Sequence, residues 1–344
     1  MARVPGVYIR TEDGYGLRPN IGIRGVTSDR SQKLTIMEDG ILITPAPYSA
    51  PAAYYVPNVN RMSAVEVFKG PSSIGYGPNT VGGALNFVTP PLELSVLRQI
   101  DLSAGSDGFK KARLKFGEKF NRFGYRVDAL HYGTDGFKYL ESGADTGFKR
   151  EDVNLRLEWD LSQSASLPHA LILKVGYADE DADETYLGLS EEDFFSKPNS
   201  RYPASSLDNF ISEHKQIHII HSLTFNDSLS ITNKAYVNRF DREWFKFTAT
   251  FAPAVLGGYA FTDIKNILIA GADSSESSDI YELISGQRDS LTSNGVPDLA
   301  DTLFYTNNAR EYGSQGYEFR ASYLSELASW DREQNIGFRY HHDY

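Results

Sequence analysis

The chain has no cysteine. That excludes a disulfide framework, a Cys-ligated zinc site and a thiol nucleophile, and it leaves the compartment open. Methionine and tryptophan are scarce, with three residues of each among 344. Positive charge is in the minority. Against 45 Asp and Glu stand 34 Lys and Arg, a formal charge of −11, which argues against a broad basic face for nucleic acid. No apolar run approaches the ~18 residues of a membrane-crossing helix. Transmembrane β-strands alternate in polarity and would not show as such a run. The opening Met1-Ala2-Arg3-Val4-Pro5-Gly6 lacks the apolar core of a signal peptide. Enzyme motifs are missing as well. Gly75-x-Gly77 lacks a third glycine and has Pro78 where a helix would start, Gly70–Gly75 has no Lys after a second Gly, and no Gly-x-Ser-x-Gly elbow occurs. With no convergent acid/base set, neither catalysis nor a cofactor is expected.

What is present is tyrosine and phenylalanine, 21 and 20 residues, in a β-type texture. Residues 1–90 form one block rich in Gly, Pro and short β-runs. Within it Thr35-Ile36-Met37-Glu38-Asp39-Gly40-Ile41 is a hairpin signal around Asp-Gly. Residues 65–90 begin with an alternating strand, Val65-Glu66-Val67-Phe68-Lys69-Gly70-Pro71, pass through Tyr76-Gly77 and Gly82-Gly83, and end in Asn86-Phe87-Val88-Thr89-Pro90. The five glycines between Gly70 and Gly83 serve tight turns or close backbone approach.

After Pro90-Pro91 the texture becomes alternating. Val153, Leu155, Leu157 and Trp159 share one face, as do Leu171, Leu173, Val175 and Tyr177, then Tyr317, Phe319, Ala321 and Tyr323, then Ile336, Phe338 and Tyr340. Short connections near 121–124, 161–169, 226–228 and 326–334 alternate with long ones near 134–149, 179–213 and 241–311. Such a rhythm fits a barrel with short turns on one rim and long loops on the other. A soluble antiparallel sheet with one wet face shares the alternation but not this placing of its long loops.

The stretch 65–90 resembles the signature near the end of the plug of TonB-dependent outer-membrane receptors. Val4-Pro5-Gly6-Val7 and Ile23-Arg24-Gly25 resemble two earlier plug motifs, and the Asp-Gly segment with Ala46-Pro47-Tyr48 is most similar to the ferric citrate branch. The resemblance implies an all-β-dominated fold: a small α+β plug over 1–90, truncated at its N-terminus, inside the first part of an antiparallel barrel over 91–344. A plugged barrel of this kind has about 22 strands, and only nine or ten are readable here. The chain is therefore expected to be a fragment cut at both ends, and not functional alone because its edge strands lack partners.

The resemblance also implies energy-coupled uptake of a ferric chelate as cargo, and a bacterial outer-membrane location. The TonB–ExbB–ExbD complex would act through a segment not in this sequence. Outer-membrane lipid and lipopolysaccharide would surround a monomer. Alternatives are another ligand (siderophore, vitamin or glycan), a passive binding protein, or, at the far end, a soluble β-rich enzyme. Ligand contacts are expected at Arg10 and Tyr15 in the first apical loop, Tyr48 and Ser49 in the third, and Arg239, Arg242 and Arg310 in the wall. Plug–wall contact is expected at Arg24 and Lys69, with carboxylate partners beyond residue 344. Glu12 and Asp13 depart from what an anionic chelate would favour. Eight acids between Asp179 and Asp193 are expected in one extracellular loop, solvated or bridged by divalent cations to lipopolysaccharide. His214 and His218 share a strand face that His221 does not, so no three-His metal site is expected.

Overall fold

The computed structural model describes residues 3–47, 54–92, 96–163, 167–250, 259–270, 275–287, 292–293, 296–297, 303–327 and 330–344. The first part is built from short strands. Strands β1 (Val7–Thr11) and β2 (Pro19–Ile23) form an antiparallel pair, and β3 (Leu34–Glu38), β4 (Ile41–Leu42), β5 (Ala64–Phe68) and β6 (Gly83–Val88) form a sheet in the order β4-β3-β6-β5. Asp39 and Gly40 turn β3 into β4 with φ of 50° and 74°, the left-handed pair that a tight two-residue hairpin requires. Gly83 meets a different demand. A Cβ there would lie 2.5 Å from the Phe68 carbonyl oxygen, so β6 can pair with β5 this closely only at a glycine.

The second part is one antiparallel sheet. Its main path joins β7 (Leu97–Ala104), β8 (Lys110–Phe120), β9 (Phe123–Thr134), β11 (Phe148–Asp160), β12 (His169–Asp183), β14 (Asn209–Thr224), β15 (Leu229–Thr250), β20 (Arg310–Leu327) and β21 (Trp330–Asp343), each beside the next. Small additions sit in the long connections: β10 (Tyr139–Leu140) pairs with β13 (Ser200–Arg201), β16 (Tyr259–Ala260) and β19 (Leu303–Asn307) pair with β15, and β17 (Thr292–Ser293) pairs with β18 (Val296–Pro297). The connections also hold helices α1 (Glu191–Ser196), α2 (Phe261–Ala270) and α3 (Ser275–Ser285). Leu187, Tyr202, Ala204, Phe247, Ile264, Leu268, Ile280 and Ile284 give this outer cap a core of its own.

The strands run farther than the polar residues suggested. The loop expected over 179–213 is confined to 184–208, and that over 241–311 to 251–309. Asp179, Glu180, Asp181 and Asp183 therefore stand on β12, not in a loop. The reason lies in what each face meets at this height. Inward carboxylates find buried cations, as below, so polarity no longer marks the strand's end.

Burial alternates along the wall. On β14, Phe210, Ser212, His214, Gln216 and His218 are buried while Ile211, Ile217 and Ile219 are exposed. The buried face meets the plug. Ile21, Ile23, Leu34, Ile36, Leu85 and Phe87 share a core with Ala178 of β12 and Phe240 of β15. The outward face is apolar across Leu155, Val175, Ile217 and Val237, directly opposite one another. Four residues nearer the long-loop rim, Glu151, Asp179, Glu213, Asp241 and Glu311 form a continuous row on the same face. Like charges placed opposite are unfavourable, and Lys215 and Arg239 offset the row by pairing with Glu213, Asp241 and Glu311 at 2.5–3.3 Å.

Candidate functional site

Two charged regions hold the plug against the wall. The first is a buried knot. At the end of β3, Glu38 accepts both Nη atoms of Arg61, at 3.1 and 2.6 Å. It also accepts Lys174 Nζ of β12 at 2.9 Å and Gln216 Nε2 of β14 at 3.0 Å. Arg61 Nε reaches Asp152 of β11 at 3.1 Å. Asp39 pairs with Lys174 and accepts Thr89 N and Oγ1 at 2.9 and 2.6 Å. One pair of adjacent acids thus ties the hairpin, the plug's exit strand and three wall strands together. Burial alone would raise the Glu38 carboxyl, but Arg61 and Lys174 outweigh it and hold it well below the usual range. Asp39 is lowered the same way, burial being overcome by Lys174. A second pair of ties lies nearer the outer rim. Arg18 pairs with Glu180 and Glu184, and Arg150 donates to Glu180 at 3.2 Å and to the Val56 carbonyl at 3.1 Å.

Arg18, Arg61, Lys174 and Arg150 are thus among the cations that tie plug to wall, and the sequence reading named none of them. Arg24 is exposed, and Lys69 donates to Pro5 O at 2.5 Å within the plug. Neither makes an ion pair with the wall among the described residues, which agrees with partners expected outside them, so their role as plug–wall contacts stays an expectation. The signal available for Arg61 was the Asn58 that caps its short 3-10 turn, whose Oδ1 accepts Asn60 N at 3.1 Å and sets the turn at the plug surface.

Above the knot lies a chamber at the outer end of β15 and β20. Glu12, Arg18, Asn20, Arg30, Tyr54, Tyr186 and Trp244 line a small cavity of about 30 Å³ there. Arg242 faces inward and is 3% exposed, with its guanidinium 4.2 Å over the Tyr54 ring. Its Nη1 donates to Asn308 O at 3.0 Å. Its Nε and Nη2, the Nε1 of Trp244 and the hydroxyl of Tyr312 are buried without a hydrogen-bond partner among the described residues. Lys246 stands 4.0 Å over Tyr186 and 4.2 Å over Trp244. Arg310 lies directly opposite Arg242 on β20, exposed on the same face. Its Nε donates to Asn308 Oδ1 at 3.0 Å.

The remaining expected contacts lie elsewhere. Arg239 is on the outward face, 55% exposed and paired with Asp241 and Glu311, so it is a rim charge that does not reach the chamber. Arg10 lines a second outer cavity of about 430 Å³ beside Glu12, Asp13, Lys138, Tyr186 and Lys265. Tyr15 packs between Phe137 and Phe148, and its hydroxyl donates to Thr146 O at 2.7 Å and accepts Phe137 N at 3.3 Å, so it fastens the loop to the wall. Burial raises its phenol. Asp13 is turned inside its own loop, where its Oδ1 accepts Tyr15 N and Gly16 N at 2.5 and 2.6 Å and its Oδ2 accepts Arg18 N at 3.0 Å. Burial opposes its ionisation, but Arg18 and these N–H groups lower the carboxyl, so Asp13 closes a turn and does not repel a ligand. Lys138 is pushed down to about 8 by burial, with Arg201 adding to it. Tyr48 and Ser49 lie outside the described residues. His214 and His218 are buried on the inner face, while His221 pairs with His169 at 2.8 Å elsewhere.

Residues 1–84 match the TonB-dependent Receptor Plug Domain family. Among curated proteins, the vitamin B12 transporter BtuB of Vibrio vulnificus is 29% identical over 156 residues, 44% of this chain and 25% of that protein. BtuB of Photobacterium profundum is 25% identical over 224 residues, 56% of this chain and 36% of that protein. The chain thus spans about a quarter to a third of the length of these relatives. Among solved structures, the unliganded ferric citrate transporter FecA superposes with a TM-score of 0.69 at 20% identity, over 99% of this chain and 44% of that one. The pyoverdine-bound receptor FpvA of P. aeruginosa gives 0.69 at 13%, over 100% and 39%. These relatives are transporters and receptors, not enzymes. Residues 1–84 thus match the plug of TonB-dependent receptors, and the chain as a whole shares its fold with solved receptors.

Proposed function

We propose that the chain forms the plug and part of the wall of an outer-membrane receptor for energy-coupled uptake of an anionic ferric chelate of the ferric citrate kind. The observation that carries this reading is Arg242. Its Nε–Nη2 edge is the side of a guanidinium that donates to both oxygens of one carboxylate, and here that edge is buried without a hydrogen-bond partner among the described residues. Arg310 opposite and the Trp244 and Tyr312 donors add to the same face. The iron complex is cargo, not a resident cofactor. The plug closes the way inward, so passage needs outside work, for which TonB with ExbB and ExbD is the partner of this reading.

A second reading is cobalamin, favoured by the names of the two curated relatives. The test is uptake of radiolabelled ferric citrate and of cobalamin by cells carrying the full-length receptor, with and without Arg242→Ala. Ferric citrate uptake that depends on Arg242 supports the first reading. Cobalamin uptake with no ferric citrate uptake replaces it with the second.

A further inference from the structure

The inner face of the wall carries a row of cations. Arg126 of β9 is directly opposite Arg156 of β11, and Arg156 is opposite Lys174 of β12. Like charges in such positions oppose pairing, so the row is not explained by sheet stability. Acids of the plug and of the wall meet it. Lys174 is held by Glu38 and Asp39 of the plug. Asp128 is shared between Arg113 at 2.5 Å and Arg126 at 3.7 Å. Arg156 turns to Glu158, two positions along its own strand, at 3.0 Å, and both remain partly open to solvent.

The row faces a cavity of about 30 Å³ walled by Arg61, Arg126, Arg156 and Lys174, with Thr89 and Pro90 of the plug's exit strand on the other side. Asp128 is the one carboxylate among the described residues that line it. Its volume is enough for a water-sized guest. The register carries the row through His218 to Tyr236 of β15. That is three inward positions below Arg242, about 20 Å nearer the short-turn rim. The cavity therefore lies on the far side of the Glu38–Arg61–Lys174 knot from the outer chamber.

We infer that this row is a second anion-binding station, where a carboxylate-bearing cargo is held on its way past the plug by exchanging with Glu38 and Asp39 on Lys174. It rests on the uptake reading above. The acids that close the knot at rest occupy the cation that the cargo would use. Departure of the plug residues Glu38, Asp39, Arg61 and Thr89–Pro90 both widens the cavity and frees Lys174 within it. Arg126 and Arg156 stay with the wall and hold the anion meanwhile.

Two arms test this in the full-length receptor. In the first, Asn154→Cys places a thiol on the cavity lining of a stretch that has no other cysteine. The thiol is reacted, during energised transport, with a sulfonate-bearing and a trimethylammonium-bearing methanethiosulfonate, each rate taken relative to a free thiol. The anionic reagent is expected to be favoured about tenfold, and the preference to vanish with Arg126→Gln and Arg156→Gln together. Equal rates, preference for the cation, or no reaction with either reagent overturns the station. In the second arm, the same double glutamine variant is expected to bind radiolabelled ferric citrate at the surface as wild type does. Its uptake should be about tenfold slower, and the double lysine variant should restore most of that rate. Unchanged uptake overturns the inference, and so does equal loss of binding in the glutamine and lysine variants, which marks a structural role. Wild-type cells that take up no ferric citrate defeat the uptake reading instead, and the thiol arm then decides the station alone.

Discussion

The knot around Glu38 and the chamber around Arg242 are both buried, both charged and both built at the plug–wall contact, yet they differ in one respect. In the knot, the donors of Arg61 and Lys174 meet carboxylates or the Tyr55 hydroxyl. In the chamber, Nε and Nη2 of Arg242, Nε1 of Trp244 and the Tyr312 hydroxyl have no hydrogen-bond partner among the described residues. A buried polar group without a partner is unfavourable by about 1–3 kcal/mol, more when charged. On the uptake reading proposed above, the difference separates charges that hold the fold from charges left for a ligand.

The largest expected effect comes from breaking the knot. Glu38→Ala leaves Arg61 and Lys174 buried without their main acid, and should destabilise the plug–wall contact by about 3–5 kcal/mol. Urea unfolding of the full-length receptor reads this directly. Adding Lys174→Met should return part of the loss, because the second charge is then removed as well.

Arg242→Ala should act in the opposite sense. Stability is expected to stay within about 1 kcal/mol of wild type, since Asn308 O is its one hydrogen-bond partner among the described residues. Affinity for ferric citrate should fall about 10- to 100-fold, the range of a lost charge-assisted pair.

Acid sharpens the comparison further. The Glu38 and Asp39 carboxyls are lowered in the folded protein. Their contribution is therefore fully present above the ordinary carboxyl range and is lost as pH falls through the lowered values. Unfolding midpoints should be level from neutral pH down to about 4 and drop below it. In Glu38→Gln that acid-dependent drop should shrink.

Much of this was legible in the residues. The Asp39-Gly40 turn needs left-handed backbone at both positions, and few residue pairs provide it. The wall strands announced themselves by alternation, because one face of β14 keeps Ile211, Ile217 and Ile219 exposed. The inward face was not legible. Lys174 and Asp152 read as ordinary polar residues and Glu180 as a loop acid, and only the packing of plug on wall shows that each meets a plug charge. For the same reason the ends of β12 and β15 were placed too early, since Asp179–Asp183 and Asp241–Arg242 looked like loop. Arg242 was read from resemblance, and Arg239 with it, although three residues apart on a strand puts them on opposite faces.

The smallest effects are expected at Arg24 and Lys69, two plug cations outside the knot. Arg24→Ala and Lys69→Ala should each change stability of this part of the receptor by under about 0.5 kcal/mol. Thermal unfolding of the single variants measures it, and a loss above about 2 kcal/mol would mean that either cation carries a buried contact after all.

One pair of variants tests the central distinction most directly: Arg61→Met and Arg242→Met in the full-length receptor, each measured for urea unfolding and for ferric citrate binding. The predicted result is a crossed pattern. Arg61→Met loses several kcal/mol of stability, about 3–5, by stranding Glu38 and Asp152, whereas Arg242→Met keeps its stability and loses binding. Equal destabilisation by both, with ferric citrate bound as tightly to Arg242→Met as to wild type, would contradict it.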